Sequence, residues 1–216
     1  RCYLLLDASR SMGYRHDGPM TKFEYACYCT ASLAYLMQAQ RDSFGLITFA
    51  QRVLTHIPPR QGKAHVGVVM ETLESMSPPD ADGQTDLPAT LHELAETIKR
   101  RALLVILSDL FSSASGADEL LDAIGHLRHR KHEVVVLQVL DPAERTFPFE
   151  DAGQIEDMET GRLVAADAQA VRRPARVQLK VETKTLAEVG DFHDARDAHV
   201  IFGVRVDHVA AAIDHE

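Results

Sequence analysis

The sequence predicts an α/β domain whose sheet is mostly parallel and carries helices on both faces. Short apolar runs that read as buried strands, such as residues 2–6 and 102–107, alternate with segments of helical apolar spacing. Only a short polar link joins Phe44–Phe49 to residues 53–57, which predicts an antiparallel hairpin toward one edge. The 216 residues are enough for one sizeable domain.

The individual elements follow from local signals. Residues 2–6 are the first strand, and Thr21 and Glu24 form a capping box that begins a helix continuing to Met37. Pro58 and Pro59 are expected to end the second strand of the hairpin. Three further helices are predicted from apolar residues at helical spacing within 66–76, within 91–98 (after a cap at Asp86) and within 120–127. The other later elements are predicted as strand 102–107, strand 133–140, helix 168–189, strand 199–206 and helix 207–213.

One segment breaks the alternation of strands and helices. Residues 143–167 are interpreted as a small insertion, with a hairpin that turns near Thr160 and Gly161. The whole chain, residues 1–216, is predicted to form a single domain that includes this insertion. Because the sequence begins at Arg1, almost inside a strand and without Met, we expect a native region upstream of it.

Composition limits the functional class. The formal net charge of -9 argues against nucleic acid as a partner, because phosphate binding needs a basic face. Cys2, Cys27 and Cys29 are too few for a disulfide framework and favour a reducing cytoplasm. Cys27 and Cys29 are predicted to pack within the first helix. No signal peptide and no apolar run long enough to span a membrane is present.

A polar cluster directly follows the first strand. Asp7, Ser9 and Ser11 alternate, so a turning backbone can direct all three side chains to one point. Ligands bind at this edge of open α/β sheets, and oxygen donors of this kind suit a hard cation such as Mg²⁺ or Mn²⁺. Two other predicted loops, residues 83–86 and residues 108–109, could complete the set of ligands.

This combination resembles the metal-ion-dependent adhesion site of von Willebrand factor A (vWA) domains. The family pattern Asp-x-Ser-x-Ser, then Thr, then Asp corresponds to Asp7, Ser9, Ser11, Thr85 and Asp109. The resemblance implies a three-layer, doubly wound, Rossmann-like sheet of six strands in the order 3-2-1-4-5-6, with one antiparallel edge strand. It also implies bound Mg²⁺ or Mn²⁺ and a protein partner that offers an Asp or Glu carboxylate to the metal.

A narrower resemblance lies in residues 141–144, 147–149 and 157–161. These segments look like those of a widespread bacterial family of uncharacterised vWA proteins that are typically encoded beside MoxR-type AAA+ ATPases. The resemblance implies a protein-binding module rather than an enzyme. Its expected partner is such an ATPase, or the ATPase's substrate, in the assembly or maturation of a target complex.

One enzyme remains an alternative to this interpretation. A metal-dependent phosphatase could use Asp7 as its nucleophile, but it would need a second carboxylate two residues later, where Ser9 stands. The sequence has no Gly-x-Ser-x-Gly elbow and no phosphate-binding glycine loop, so the α/β-hydrolase and nucleotide-binding classes lack support.

Several other polar residues have structural explanations. Asp86 is predicted to cap a helix, and Arg10 to be a solvated side chain in the metal loop. Asp141 and Glu144 either shape the rim of the metal site or form a tight turn. The last group is predicted to be a solvated helix end and comprises His126, His129 and His132.

Overall fold

A five-stranded sheet forms the centre of the computed structural model, which describes residues 1–16, 18–76, 86–111, 117–146, 153–156 and 163–166. The strands of this sheet are β1 (Cys2–Asp7), β2 (Phe44–Phe49), β3 (Val53–Arg60), β4 (Leu103–Ser108) and β5 (Glu133–Gln138). The helices are α1 (Lys22–Ala39), α2 (Lys63–Ser75), α3 (Leu87–Thr97), α4 (Ala117–His129) and α5 (Pro142–Thr146). A short 3-10 turn spans Arg10–Gly13.

The strands lie in the order β3-β2-β1-β4-β5. All neighbouring strands are parallel except β2 and β3, which are antiparallel. The predicted fold class, a mostly parallel α/β sheet with one antiparallel edge strand, is confirmed. The predicted sixth strand, residues 199–206, and the helices predicted at 168–189 and 207–213 lie outside the described residues.

Helices cover the sheet on both faces. In β1, Leu5 belongs to the core under α3 and α4, whereas Leu4 and Leu6 belong to the core under α1 and α2. All six residues of β1 are buried, and so are those of β2. Burial on two faces explains why these strands read as continuous apolar runs rather than as alternating patterns.

The prediction that Pro58 and Pro59 end the hairpin strand is wrong, because β3 continues through both prolines to Arg60. β3 is an edge strand, and an edge strand needs backbone donors on one side only, so proline is tolerated there. The register also shifts here: Ile57 pairs with Leu46, but Arg60 pairs with Phe44.

Gly45 lies in β2 beside this irregular part of β3. A Cβ atom at position 45 would overlap the carbonyl oxygen of Ile57 and would lie 2.9 Å from the nitrogen of Pro59. We expect Gly45→Ala to lower the free energy of unfolding by about 1–3 kcal/mol, the usual cost of overpacking. Gly67→Ala in α2 is the control, because a Cβ atom there meets nothing within 4 Å. It should raise stability by up to about 1 kcal/mol through helix propensity. Equal unfolding free energies for the two variants in chemical denaturation would contradict this prediction.

The predicted helix caps are confirmed. The Thr21 hydroxyl accepts a hydrogen bond from the Glu24 backbone N–H at 3.1 Å, and the Glu24 carboxylate accepts one from the Thr21 N–H at 2.7 Å. Asp86 caps α3 by accepting from the Ala89 N–H at 2.9 Å. These caps determine where α1 and α3 begin.

The segment after β5 begins with a short helix. α5 occupies Pro142–Thr146, and β6 (Gly153–Glu156) then pairs antiparallel with β7 (Leu163–Ala166). The turn predicted near Thr160 and Gly161 lies outside the described residues, and the assignment of this segment as an insertion stays a prediction. Within the part of the chain that the structure describes, no helix has the length and apolar character needed to cross a bilayer.

Candidate metal centre

The end of β1 brings three predicted site residues together. Asp7, Ser9 and Ser11 are all buried, with Asp7 fully enclosed. The Ser9 backbone N–H donates to Asp7 Oδ1 at 2.8 Å, and the hydroxyl oxygens of Ser9 and Ser11 lie 3.0 Å apart. The backbone turns through the 3-10 segment directly after Ser9, so the alternating side chains face the same region, as the sequence predicts.

The parallel register of β1 and β4 brings a second loop to this point. Leu6 lies opposite Leu107, so Ser108 and Asp109 follow beside Asp7. The Ser108 hydroxyl donates to Asp7 Oδ2 at 2.5 Å, and Asp109 is buried. Four of the five predicted ligands therefore share one edge of the sheet. The fifth, Thr85, lies outside the described residues.

Ser108 lies in a loop that was predicted to complete the set of ligands, but it was not itself among the five predicted ligands. Its hydroxyl oxygen also accepts a hydrogen bond from the Leu110 backbone N–H at 2.9 Å. Leu110 has a positive φ of 64°, a conformation that turns the chain sharply after β4. Ser108 thus connects this turn to the Asp7 carboxylate and orients both.

The electrostatic environment of Asp7 is unusual. Burial and the nearby Asp109 carboxylate raise the pKa of Asp7 to about 7, although hydrogen bonds from Ser108 and Ser9 oppose the rise. Two neighbouring buried carboxylates repel each other when both are ionised. A cation bound beside them would therefore be stabilised strongly.

Lys22, the first residue of α1, is a component of the site that the sequence analysis missed. Its Nζ atom donates to Asp109 Oδ2 at 2.8 Å and to Glu144 Oε1 at 2.6 Å, and only 2% of its side chain is exposed. The rings of Tyr14 and Phe111 have their centroids 5.6 Å and 5.3 Å from the same nitrogen. The ammonium group is therefore enclosed by two carboxylates and two aromatic rings.

The ion pairs keep Lys22 charged. Burial alone would lower the pKa of Lys22, but the carboxylates of Asp109 and Glu144 outweigh burial and raise it. Burial raises the pKa of Glu144, and Lys22 offsets part of that rise. The Nζ–Oε1 distance of 2.6 Å is that of a charge-assisted hydrogen bond between ionised groups, so Lys22 and Glu144 form an ion pair.

A sequence signal for Lys22 did exist. A lysine in the first turn of a helix is unfavourable, because the N-terminal end of the helix dipole is positive. Lys22 occupies that position directly after the Thr21 cap, and it is buried. A cation so placed needs carboxylates nearby, but the sequence does not show that they lie 87 and 122 residues away.

Asp141 and Glu144 form a tight turn, which is one of the two alternatives that the sequence left open. Asp141 forms a turn by accepting from the Ala143 N–H at 2.8 Å, and Glu144 accepts from the Asp141 N–H at 2.8 Å. Asp141 Oδ2 also accepts from the His16 N–H at 3.2 Å. Together with the Lys22–Glu144 pair, this contact connects α5 to the loop that follows the 3-10 turn.

The histidines near the end of α4 are not uniformly solvated, so that prediction is wrong in part. His129 is exposed, but His132 is buried, and burial lowers its pKa. His126 Nε2 lies 3.1 Å from Glu96 Oε1, and its Nδ1 lies 2.9 Å from His92 Nδ1. Among the described residues, no three His, Cys, Asp or Glu side chains are grouped in a way that could hold a metal.

The donor chemistry of the candidate centre fits a hard divalent cation. Its described oxygens come from two carboxylates, Asp7 and Asp109, and two hydroxyls, Ser9 and Ser11. Mg²⁺ and Mn²⁺ prefer such oxygens, whereas Zn²⁺ prefers His and Cys. The residues present could therefore hold Mg²⁺ or Mn²⁺, with water molecules completing the coordination.

Metal binding at this centre should depend on pH through Asp7. Because Asp7 holds a proton more tightly in the folded protein than in the unfolded chain, its contribution to stability falls as pH rises from about 4 to about 7 without metal. A metal needs the carboxylate, so Mg²⁺ affinity should rise about tenfold from pH 6 to pH 8, with proton release. Calorimetric titration in buffers of different ionisation enthalpy measures both quantities. Ser11→Ala, which keeps Asp7, should bind Mg²⁺ more weakly with the same pH dependence. A flat profile for the wild type would contradict the assignment.

Comparison with known proteins identifies the family and the fold. A protein-family profile described as "Protein of unknown function DUF58" matches residues 1–185. The chain belongs to this family. The structural relatives below and the observed sheet show that the fold of this family member is vWA-like.

Two curated relatives come from mycobacteria. The uncharacterized protein Mb1516 of Mycobacterium bovis is 26% identical over 161 residues, which are 74% of this chain and 48% of that protein. The uncharacterized protein MAV169 of Mycobacterium avium is 30% identical over 120 residues, which are 54% of this chain and 67% of that protein. The chain thus spans about half the length of the Mycobacterium bovis relative.

Two solved structures from Bacteroides share the fold. An aerotolerance-related membrane protein from Bacteroides fragilis superposes with a TM-score of 0.55 at 20% identity, covering 82% of this chain and 86% of that one. The conserved hypothetical protein BatB from Bacteroides thetaiotaomicron has a TM-score of 0.55 at 19% identity, covering 87% and 98%. At these identities the likeness concerns the fold alone.

Proposed function

We propose that this chain is a divalent-metal-dependent protein-binding module that works in the cytoplasm with a MoxR-type AAA+ ATPase. The observation that carries the proposal is the convergence of Asp7, Ser9, Ser11 and Asp109 at the carboxyl edge of the sheet, next to the turn after β4. The partner is the ATPase or its substrate, and the process is the assembly or maturation of a target complex.

The charge of the protein supports a role for the metal in binding an acidic partner. The formal net charge is -9, so an acidic partner surface would be repelled at long range. Mg²⁺ takes about six oxygen ligands and exchanges its waters, so at least one position is free for a carboxylate from outside. The metal then supplies the local positive charge that allows the contact.

The surroundings of the centre also favour a protein ligand. The Phe111 side chain is 52% exposed, although its backbone N–H donates to Asp109 Oδ1 at 3.0 Å. Arg15 is exposed, and Arg10 is partly exposed in the 3-10 turn. An exposed apolar ring next to Asp109 and two cationic residues in the segment that follows Ser9 suit a peptide that combines an acidic residue with an apolar neighbour.

The expected partner and compartment rest on the sequence. The segments that resemble MoxR-associated proteins, residues 141–144, 147–149 and 157–161, support the choice of ATPase. Cys2, Cys27 and Cys29 are free thiols, in keeping with a reducing compartment. Burial raises the pKa of Cys27 to about 11, and Cys27 and Cys29 pack against the core under α1, so they serve packing rather than chemistry.

Affinity capture from a native lysate tests the proposal. The immobilised protein is incubated with Mg²⁺ or with EDTA, and retained proteins are identified by mass spectrometry. We expect a MoxR-type ATPase or its substrate to be retained with Mg²⁺ and lost with EDTA. Retention that is equal in both conditions would contradict the metal-dependent contact. Turnover of a phosphate ester, or a phosphorylated Asp7, would instead favour the phosphatase alternative.

A further inference from the structure

We propose that Lys22 is an internal cation that balances the candidate metal centre and sets how tightly the centre binds a divalent ion. The inference rests on the proposed metal-binding function and adds a residue that acts on it from within the protein. Lys22 is a positioning and charge-tuning residue, since it bonds to a candidate ligand, Asp109, rather than to the metal.

The Asp109 carboxylate is held by two hydrogen-bond donors. Both of its carboxylate oxygens are engaged, because Oδ1 accepts from the Phe111 N–H at 3.0 Å and Oδ2 accepts from Lys22 Nζ at 2.8 Å. A metal that used Asp109 directly or through water would therefore compete with the ammonium group for the same oxygen lone pairs. Lys22 weakens metal binding both by this competition and by charge repulsion.

Lys22 has a second carboxylate partner, Glu144. Glu144 Oε1 lies 2.6 Å from Lys22 Nζ, and Glu144 is held by the Asp141 N–H at 2.8 Å. When a metal draws on Asp109, Lys22 keeps Glu144 as its partner, so no buried charge is left unpaired. Because it has two carboxylate partners, Lys22 can stabilise the centre without metal and still release Asp109 to a bound metal.

Lys22 also changes the total charge of the groups at the candidate metal centre. The Lys22 ammonium group pairs with Asp109 and Glu144, and Asp7 lies close enough to Asp109 for the two carboxylates to repel each other. Together these groups are three carboxylates and one ammonium group. Adding a divalent ion to the ionised groups brings the sum to zero, whereas without Lys22 the same groups would carry an excess negative charge. Lys22 therefore leaves the bound metal less neutralised, which favours a carboxylate from a partner as an additional ligand.

Two substitutions should change metal affinity in opposite directions. Lys22→Met removes the competing cation and should tighten Mg²⁺ binding about tenfold. It should also lower the melting temperature in EDTA, because the buried Asp109 and the partly buried Glu144 lose their partner. Glu144→Gln removes a negative charge and leaves Lys22 paired with Asp109 alone. It should weaken Mg²⁺ binding about tenfold. Lys99→Met, at an exposed lysine beyond α3, is the matched control and should change neither quantity.

Calorimetric titration with Mg²⁺ and with Mn²⁺, together with melting curves in EDTA and in excess metal, measures these effects. The metal-induced rise in melting temperature should be larger for Lys22→Met than for the wild type. Opposite shifts in affinity cannot come from general damage to the fold, which would weaken binding in both variants.

These measurements distinguish a failure of the proposed metal-binding function from a failure of the role of Lys22. A wild type that binds neither ion would contradict the proposed function, and this inference with it. A wild type that binds while Lys22→Met and Glu144→Gln keep its affinity would overturn the role of Lys22 alone. If Lys22→Met does not fold, Glu144→Gln decides, because its side chain is nearly the same size: unchanged or tighter binding would overturn the inference.

Discussion

Asp7→Asn is expected to reduce Mg²⁺ affinity by about 100-fold or more, since even indirect partners of metal ligands cost about 10–100-fold. The amide retains an oxygen that can accept from the Ser9 N–H, but it removes the negative charge that the cation needs. The fold should remain intact. Burial and the nearby Asp109 raise the pKa of Asp7 to about 7, so ionising Asp7 in the folded protein already costs free energy. At pH 8 the metal-free variant should therefore melt cooperatively and at no lower temperature than the wild type.

The measurement is a calorimetric titration of both proteins, with a thermal melt of each in EDTA. Asp122→Asn is the control, since Asp122 is an exposed carboxylate on α4, away from the centre. Equal Mg²⁺ affinity in wild type and Asp7→Asn would refute the metal assignment. A substitution at Asp109 is less informative, because it would also deprive the buried Lys22 ammonium of one of its two carboxylates.

Binding of a purified partner should require both the cation and one acid on the partner. Replacing that Asp or Glu with its amide should cost about as much affinity as removing the metal, because a neutral oxygen is a much poorer ligand for a hard cation. Raising the salt concentration should weaken binding less than EDTA does, because a direct metal bond is screened less than separated charges.

The experiment measures partner affinity in Mg²⁺, in EDTA and over a range of salt concentrations. Phe111→Ala, which trims an exposed ring beside Asp109, provides a variant that leaves the ligand oxygens in place. It should weaken partner binding far more than it changes Mg²⁺ affinity, although its ring also faces the Lys22 ammonium group. Full partner binding in EDTA would mean that the partner uses another surface and that the metal serves only to hold the loops together.

Local patterns were sufficient for most of the fold. The apolar run at residues 102–107 predicted a strand inside a parallel sheet, and β4 is such a strand, with β1 and β5 as parallel neighbours. Caps at Thr21 and Asp86 predicted where α1 and α3 begin. The end of β3 could not be predicted in this way, because tolerance of Pro58 and Pro59 depends on β3 being an edge strand, which is a property of the whole sheet.

The buried His132 shows the same limit at the end of α4. Its spacing from His126 and His129 indicates one helical face, and helix ends are usually solvated. The chain turns after α4 at Lys131, whose φ is 70°, and returns His132 to the protein interior before β5. A single residue with positive φ changes the direction of the side chains that follow, and helical spacing carries no information about that turn.

What the sequence alone determined is the α/β class and the position of the oxygen donors. Apolar continuity places strands inside the sheet, and Asp7, Ser9, Ser11 and Asp109 follow strands whose carboxyl ends share one edge. What only the tertiary structure decided is the charge that accompanies these donors. Lys22 meets Asp109 and Glu144 across 87 and 122 residues, and such pairs depend on how separate elements pack rather than on any local pattern. A buried cation is stabilised only by its enclosed neighbours, and those neighbours exist only once the sheet has brought the loops together.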